Sequence, residues 1–378
     1  MHKIEVKHSS IHINNYELGD CKKLENLFSI YDRVYFKSYL RILEYIPEQK
    51  KLIVPRGLDV AWLEFQFDAK AFIDTKYDSF DKTDIIRMKF LPRDDVQKEA
   101  LAFMLGEKDY KFTKAKSQLS LNLPTGKGKS YCSIATSAME LMRSIIITSS
   151  ISWLNQWKDY ILEYTDTKED EIYMLVGSPS VHRLLKRDMN KYKFILASHD
   201  TIKSYGDKYG WESITELFKY MKCGYKFFDE AHINFDNMAK IDFYTNTFKT
   251  FYITATPARS DKDENVLFKY YFKNVPAIDL FDHETDPHTN YVAIRYNSKP
   301  TIVEINNCMN GYGFDRNKYS QYVLHKENFY KMFTIVLDMA IKNKKKNVFY
   351  IATNNAIEHI YHWIIENFPE LDGNVGIF

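Results

Sequence analysis

Cysteine is scarce in this chain, and its four residues, Cys21, Cys132, Cys223 and Cys308, lie far apart with no CxxC pair. That pattern argues against a zinc site and against a disulfide framework. The four read as reduced, buried thiols of a cytoplasmic protein. An excess of one charge is also lacking. Lys and Arg number 52 against 50 Asp and Glu, a formal net charge of +2, so composition does not advertise nucleic-acid binding, although a basic groove can hide within a balanced total. No apolar run approaches the ~20 residues a membrane-spanning helix needs, and the opening MHKIEVKHSS has no apolar signal core. The expectation is an untargeted, soluble protein. Solenoid repeats and low-complexity tracts are absent as well.

What is present is length and aromatic character. A chain of 378 residues can hold two or three domains, each with its own core. The 28 Tyr and 26 Phe can fill those cores or offer stacking faces to bases. Over the first 85 or so residues short alternating runs, IEVKHSSIHI and RILEYIPEQKKLIV, surround a helix-like DCKKLENLFSIYD. This predicts a small α+β domain over residues 1–88.

From there the pattern changes. RDDVQKEALAFMLGE reads as a helix, and apolar runs at 120–123, 144–149, 172–177, 194–198, 225–229 and 250–255 then alternate with helical stretches. Alternation of that kind predicts an α/β domain with a parallel sheet over residues 89–283. The polar DHETDPHTN (282–290) reads as a linker. Beyond it YVAIRYNS, a helix from about His325 to Lys342, a strand VFYIAT (348–353) and the helix AIEHIYHWIIENF begin a further α/β domain, 284–378. It stops at NVGIF, in what reads as another strand.

PTGKGKS (124–130) follows an apolar strand and opens a helix. In that setting backbone N–H groups and the positive helix end converge on phosphate oxygens, and glycine lets the backbone approach closely. Thr125, Gly126, Lys127, Gly128, Lys129 and Ser130 form the candidate cradle, with Lys129 reaching the β- and γ-phosphates and Ser130 completing a Mg²⁺ shell. The strict pattern G-x-x-x-x-G-K-[ST] fails at its first position, Leu123. A Gly/Lys-rich surface turn is the alternative.

YKFFDEAHINF places Asp229, Glu230, Ala231 and His232 directly after another apolar strand. The carboxyl end of a strand in an open α/β sheet is where ligands bind. Asp229 can hold Mg²⁺ through water, and Glu230 can orient and deprotonate an attacking water. A helix start rich in acids would look the same. FYITATPARSD then offers Thr254 and Thr256, whose hydroxyls can bond His232 and sense nucleotide state, unless the segment is only a strand-to-turn junction. Gln97, with Arg93 one turn earlier, precedes the phosphate loop, and its amide can pair with an adenine edge as donor and acceptor together.

The ordered set Gln97, PTGKGKS, DEAH and TATP resembles the motor core of superfamily 2 helicases of the DExH class, built from two RecA-like domains. The resemblance implies that Lys129, Ser130, Asp229, Glu230 and Gln97 form an ATP and Mg²⁺ site in the cleft between those domains. SIIITSSISWLNQWKDYI, which carries a Q-W pair, is similar to the family's first nucleic-acid motif and implies phosphate contacts by Ser149 and Ser150. FILASHDTIKSY is similar to the next, implying Ser198 and Thr201, though helix capping would explain these serines and threonines equally. VFYIATNNAIEHI corresponds to the first motif of the second domain, with Thr353 as a DNA contact.

Among members, the chain resembles phage-encoded ones, UvsW-like branch-migration helicases and a helicase of T-five-group phages, which also place a small α+β domain ahead of the motor. That implies a monomeric motor on forked, branched or single-stranded DNA in a host cytoplasm, with residues 1–88 as either a duplex grip or a structural cap. The same motor could serve a restriction-type complex, act on RNA, or persist as a non-catalytic nucleic-acid-binding module. The family's arginine-bearing motif has no counterpart before Phe378, so the expectation is a longer polypeptide.

Overall fold

The structure, a computed structural model, describes residues 2–31, 38–74, 76–255, 262–280, 297–310, 313–342, 349 and 354–376. It divides into two compact units, Met1–His283 and Glu284–Phe378. In the first unit the alternating N-terminal runs become strands β1 (Lys3–Val6) and β2 (Ser10–Asn14), followed by α1 (Lys22–Leu27), β3 (Ser29–Tyr31), β4 (Ser38–Arg41), β5 (Glu44–Ile46), β6 (Lys51–Pro55), α2 (Val60–Phe67) and β7 (Ala71–Ile73). Five of these strands form a sheet in the order β5-β6-β2-β1-β7, antiparallel except for the β1–β7 pair. Asp59 starts α2 by accepting the N–H groups of Ala61 and Trp62, the usual work of an N-cap aspartate.

The second layer set begins with α3 (Asp95–Leu105) and runs through β8 (Gln118–Asn122), α4 (Lys129–Glu140), β9 (Ser144–Thr148), α5 (Ile151–Tyr164), β10 (Ile172–Leu175), α6 (Ser178–Leu184), β11 (Phe194–Ser198), α7 (His199–Tyr209), α8 (Glu212–Met221), β12 (Tyr225–Asp229), α9 (Phe235–Phe243), β13 (Lys249–Thr254), α10 (Lys262–Phe272) and β14 (Ala277–Asp279). The seven strands pair in the order β10-β11-β9-β12-β13-β8-β14, all parallel. The α/β parallel fold expected from the apolar runs is the one observed. Continuous apolar strands suit a sheet covered on both faces. Along β9, Ile145 and Ile147 join one core cluster and Ile146 the other, as strand alternation requires. The short edge strand β14 has no apolar run to announce it.

Helices α3, α4 and α5 contribute to the cluster on one face. The cluster on the other face takes residues from α7 to α10 and, without a break, from the N-terminal sheet: Ile4, Ile11, Leu52 and Val54 belong to the same core as Phe228 and Tyr252. Polar contacts cross this junction too. Ser117 donates to the His8 carbonyl at 2.8 Å, Gln118 to the Ser9 carbonyl at 3.2 Å, and Asn274 to the Gly57 carbonyl at 2.9 Å. The N-terminal module is therefore built onto the parallel-sheet domain.

In the second unit α11 (Ile302–Cys308), the two-residue strands β15 (Met309–Asn310) and β16 (Gly313–Phe314), α12 (Arg316–Val323), α13 (Glu327–Lys342) and α14 (Asn354–Asn367) surround a small core of Leu324, Phe333, Leu337, Ala356, Ile360 and Ile364. The expected linker 282–290, most of the run YVAIRYNS (291–298) and nearly all of the strand expected at 348–353 lie outside the described residues.

Two features give stability predictions. A Cβ at Gly57 would stand 2.0 Å from the backbone oxygen of Tyr271, so Gly57→Ala must push the N-terminal module off α10. We expect a loss of at least about 1–3 kcal/mol, read as a lower urea midpoint. Second, burial holds His12 and His199 neutral, lowering them to about 3 and about 4. Both values fall below the ordinary histidine range, so the unfolded chain binds more protons on the acid side of pH 6.5 and folding stability drops as pH falls. By pH 5 each histidine should cost on the order of 2 kcal/mol, measurable as a lower melting temperature than at pH 7.5 that His199→Gln partly relieves.

Candidate functional site

β8 and β12 are separated in the sheet only by β13, and all three run the same way. Their C-terminal ends therefore bring the loop after β8 beside the acidic turn after β12, although about a hundred residues separate them in sequence. Leu123, where the strict phosphate-loop pattern asks for glycine, prolongs the strand. Its N–H donates to the Thr254 carbonyl at 3.1 Å and its side chain is fully buried in the core. The loop bends later, at Gly126 and Gly128, with φ of +80° and +93°. Gly128 is required twice over, by that left-handed backbone and because a Cβ would fall 2.2 Å from Nε2 of Gln97.

Gln97 is not the surface residue a lone helical glutamine would be. Asp94 caps α3 by accepting the Gln97 N–H at 3.0 Å, and the side chain turns inward to 4% exposure. Its Oε1 accepts the Arg93 N–H at 2.8 Å, and its Nε2 faces the Lys127 carbonyl at 3.4 Å. Arg93 in turn donates to the Gly126 carbonyl at 3.2 Å. Both residues thus brace the phosphate loop from the side. Lys127 itself is exposed.

Lys129, at the first turn of α4, donates to Glu230 Oε1 at 2.6 Å, the two side chains being 12% and 20% exposed. Glu230 has φ +48°, a left-handed conformation that costs a non-glycine residue energy and is concentrated at functional sites. Its other oxygen, Oε2, is buried without a hydrogen-bond partner and lies 3.4 Å from His232 Nδ1. That nitrogen also lies 2.8 Å from the Thr254 hydroxyl, so the residues expected to form the coupling pair do meet. Thr256 and Thr353 lie outside the described residues.

Asp229 Oδ2 accepts the indole N–H of Trp157 at 2.7 Å, and Oδ1 accepts the Glu230 N–H at 3.1 Å. Burial pushes the Asp229 carboxyl up to about 6, against the indole N–H, which favours the charged form. Trp157 was visible in sequence only as half of the Q-W pair. No local pattern ties it to a carboxylate 72 residues away.

These groups line a cavity of about 730 Å³ that includes Thr125, Gly126, Gly128, Ser130 and the α5 side chains Trp153, Gln156, Trp157, Tyr160 and Tyr164. The residues fit a nucleoside triphosphate with Mg²⁺. An added Cβ at Gly126 would meet nothing within 4 Å, Glu230 Oε2 awaits a partner, and Asp229 would gain from a cation that offsets its burial. Among the described residues no group of three or more His, Cys, Asp or Glu could hold a metal by itself. A cation sharing one carboxylate, a hydroxyl and substrate phosphates needs no such group.

The expected phosphate contacts divide into two kinds. Ser149 and Ser150, in the turn before α5, are both partly exposed, with Ser150 Oγ accepting the Trp153 N–H at 3.4 Å. Ser198 and Thr201 are 3% and 4% exposed. The Ser198 hydroxyl accepts the Thr201 N–H at 3.2 Å, and the Thr201 hydroxyl accepts the Gly177 N–H at 3.0 Å. Capping α7 and holding the β10–α6 turn occupy both, so neither presents a hydroxyl to an outside ligand in this structure.

A parallel sheet with a glycine loop and an acidic turn on the same edge, at the ends of strands one apart, is the arrangement of a phosphate-loop nucleotide-binding domain. Residues 90–259, somewhat under half of the chain, match the family described as Type III restriction enzyme, res subunit. Solved structures similar to the chain include the UvsW helicase from bacteriophage T4, at 17% identity over 73% of this chain and 99% of that one, with a TM-score of 0.47. A second T4 UvsW structure is 17% identical over 73% of this chain and 56% of that one, with a TM-score of 0.46. A hypothetical ATP-dependent RNA helicase from Sulfolobus tokodaii is 17% identical over 50% of this chain and 54% of that one, with a TM-score of 0.37. The chain thus spans little more than half the length of the latter two. No curated protein sequence matches the chain. Among the described residues no helix is long and apolar enough to cross a membrane.

Gly128→Ala tests the loop geometry. The left-handed backbone and the displaced Gln97 should weaken binding of a fluorescent ATP analogue by at least about tenfold, corresponding to ~1–2 kcal/mol of strain.

Proposed function

We propose that the chain hydrolyses ATP with Mg²⁺ to move along DNA and to unwind or branch-migrate forked and junction substrates. The observation that carries this reading is the meeting of Lys129 with Glu230 at 2.6 Å, beside Asp229, at the mouth of the cavity lined by the phosphate loop. Lys129 exchanges its carboxylate partner for the β- and γ-phosphates, which frees Glu230. Glu230, with one oxygen already unpartnered, then orients a water and takes its proton. Ser130 and Asp229 would hold the cation, and Gln97 and Arg93 would keep the loop in shape and face the base. Mg²⁺, when bound, neutralises charge that develops on the phosphates. His232 and Thr254 link the catalytic base Glu230 to the end of β13, a path by which hydrolysis is sensed.

On the nucleic-acid side, Ser149 and Ser150 at the start of α5 are the proposed backbone-phosphate contacts, assisted by the helix N-terminus. Such contacts position a strand without reading its sequence. Ser198 and Thr201 support this surface through capping. The N-terminal module, sharing a core with the motor, acts at least as its cap, and a duplex grip would lie on its outer surface. A second reading, the translocating subunit of a restriction-type complex, draws on the description of the family matched at residues 90–259. ATP turnover by the isolated chain with DNA alone separates the two.

Lys129→Ala should abolish DNA-stimulated ATPase. Glu230→Gln should keep or tighten binding of the ATP analogue while slowing turnover at least ~100-fold, the scale of a lost general base. Loss of binding and turnover together in Glu230→Gln would contradict the role assigned to it. We expect stimulation to be strongest with branched DNA, weaker with single-stranded DNA and weakest with RNA of equal length. A larger effect of RNA would overturn the choice of DNA.

A further inference from the structure

We propose that Trp157 is a positioning residue that ties the metal-binding carboxylate to helix α5, and so couples strand occupancy at the start of that helix to Mg²⁺ at Asp229. The inference rests on the reading of Asp229 as the Mg²⁺ carboxylate and of the α5 start as a phosphate contact, and it names the link between them.

The geometry is specific. β9 and β12 are neighbours in register, Ile147 opposite Phe228, so Thr148 and Asp229 end adjacent strands side by side. After Thr148 the chain turns through Ser149 and Ser150 into α5. The turn is stiffened by the Thr148 hydroxyl, which donates to the Ser150 carbonyl at 2.9 Å, and by the Ser150 cap on Trp153. Two turns along, Trp157 is 2% exposed within the core on the α3–α5 face, and its indole N–H points back to Asp229 Oδ2 at 2.7 Å.

Seven residues of helix span about 10 Å, so the phosphate-contact turn and the indole are two points on one short rigid rod. The other carboxylate oxygen is held by the backbone of the same acidic turn. The indole is thus the hydrogen bond to Asp229 that comes from an element able to feel a nucleic-acid strand. Any shift of α5 on binding a phosphate moves the donor and reorients the carboxylate. Partners that orient a metal ligand are worth roughly 10- to 100-fold in metal affinity when removed.

The test uses Trp157→Phe, which keeps an aromatic ring in the core and deletes the N–H. Binding of a fluorescent ADP analogue is followed while Mg²⁺ is titrated, with and without single-stranded DNA, in the full chain. The expected result has three parts. Analogue binding in EDTA and the thermal melt stay as in the wild type. The Mg²⁺ midpoint rises roughly 10- to 100-fold. DNA, which shifts that midpoint in the wild type, no longer shifts it in the variant. In an Asp229→Asn background the Trp157→Phe change should have no further effect on the midpoint, since the paired groups no longer act independently.

A Trp157→Phe midpoint equal to that of the wild type, or a DNA response intact in the variant, overturns the proposal while leaving the nucleotide site standing. A wild-type chain that shows no Mg²⁺-dependent binding of the analogue overturns the site reading itself, and the proposal with it. A change in the melt alone, with the Mg²⁺ titration unmoved, would reduce Trp157 to a core residue.

Discussion

Parallel pairing of β8, β13 and β12 is the constraint from which the rest of the site follows. Because the three strands share a direction, everything that leaves their carboxyl ends emerges on one edge of the sheet. An ammonium from the first loop and a carboxylate from the third are thereby confined to a partly buried place where each is costly without the other. Removing one member of such a pair leaves an uncompensated charge. A triphosphate with its cation, as proposed, would answer both needs at once, supplying negative oxygens to Lys129 and positive charge to Asp229. In the proposed function, the ion pair between Lys129 and Glu230 is the arrangement that bound phosphates would displace.

The opposite face of the sheet shows how the parallel-sheet domain is kept in register with its N-terminal module. Lys226 and Asp242 form a fully buried ion pair, and Asp242 also accepts the hydroxyls of Tyr252 and Tyr271. Gln118 then connects the Tyr252 hydroxyl at 2.6 Å to the Ser9 carbonyl. Buried polar groups of this kind contribute little net stability, yet a shifted packing would leave them unpaired, so they select one arrangement of α9, the sheet and the N-terminal strands. Tyr271, whose backbone abuts Gly57, belongs to the same junction. Two modules that differ in composition pattern thus share one core.

The Q-W pair illustrates how a motif can be legible while its work is not. As a sequence it marks a helix after a strand and suggests a nucleic-acid surface. In the folded chain the tryptophan faces the other way, into the core and onto Asp229, while Ser149 and Ser150 at the helix start stay partly exposed. Ser198 and Thr201 show the converse. Their hydroxyl chemistry suits a phosphate contact or a helix cap, and only burial separates the two uses.

Read alone, the sequence determined what depends on neighbours along the chain. Six apolar runs became six strands within a residue or two because burial on both faces needs continuous apolar character, and the glycine loop and acidic turn stood out because they interrupt those runs. Tertiary structure alone decided what depends on distant pairs: that Leu123 replaces a glycine by extending its strand into the core, that Gln97 braces Gly128, and that Trp157 holds Asp229. It also joined the N-terminal sheet to the core of the parallel-sheet domain. Backbone conformation and amphipathic period are local properties, whereas a hydrogen bond across 72 residues exists only once the sheet has set the order of its strands.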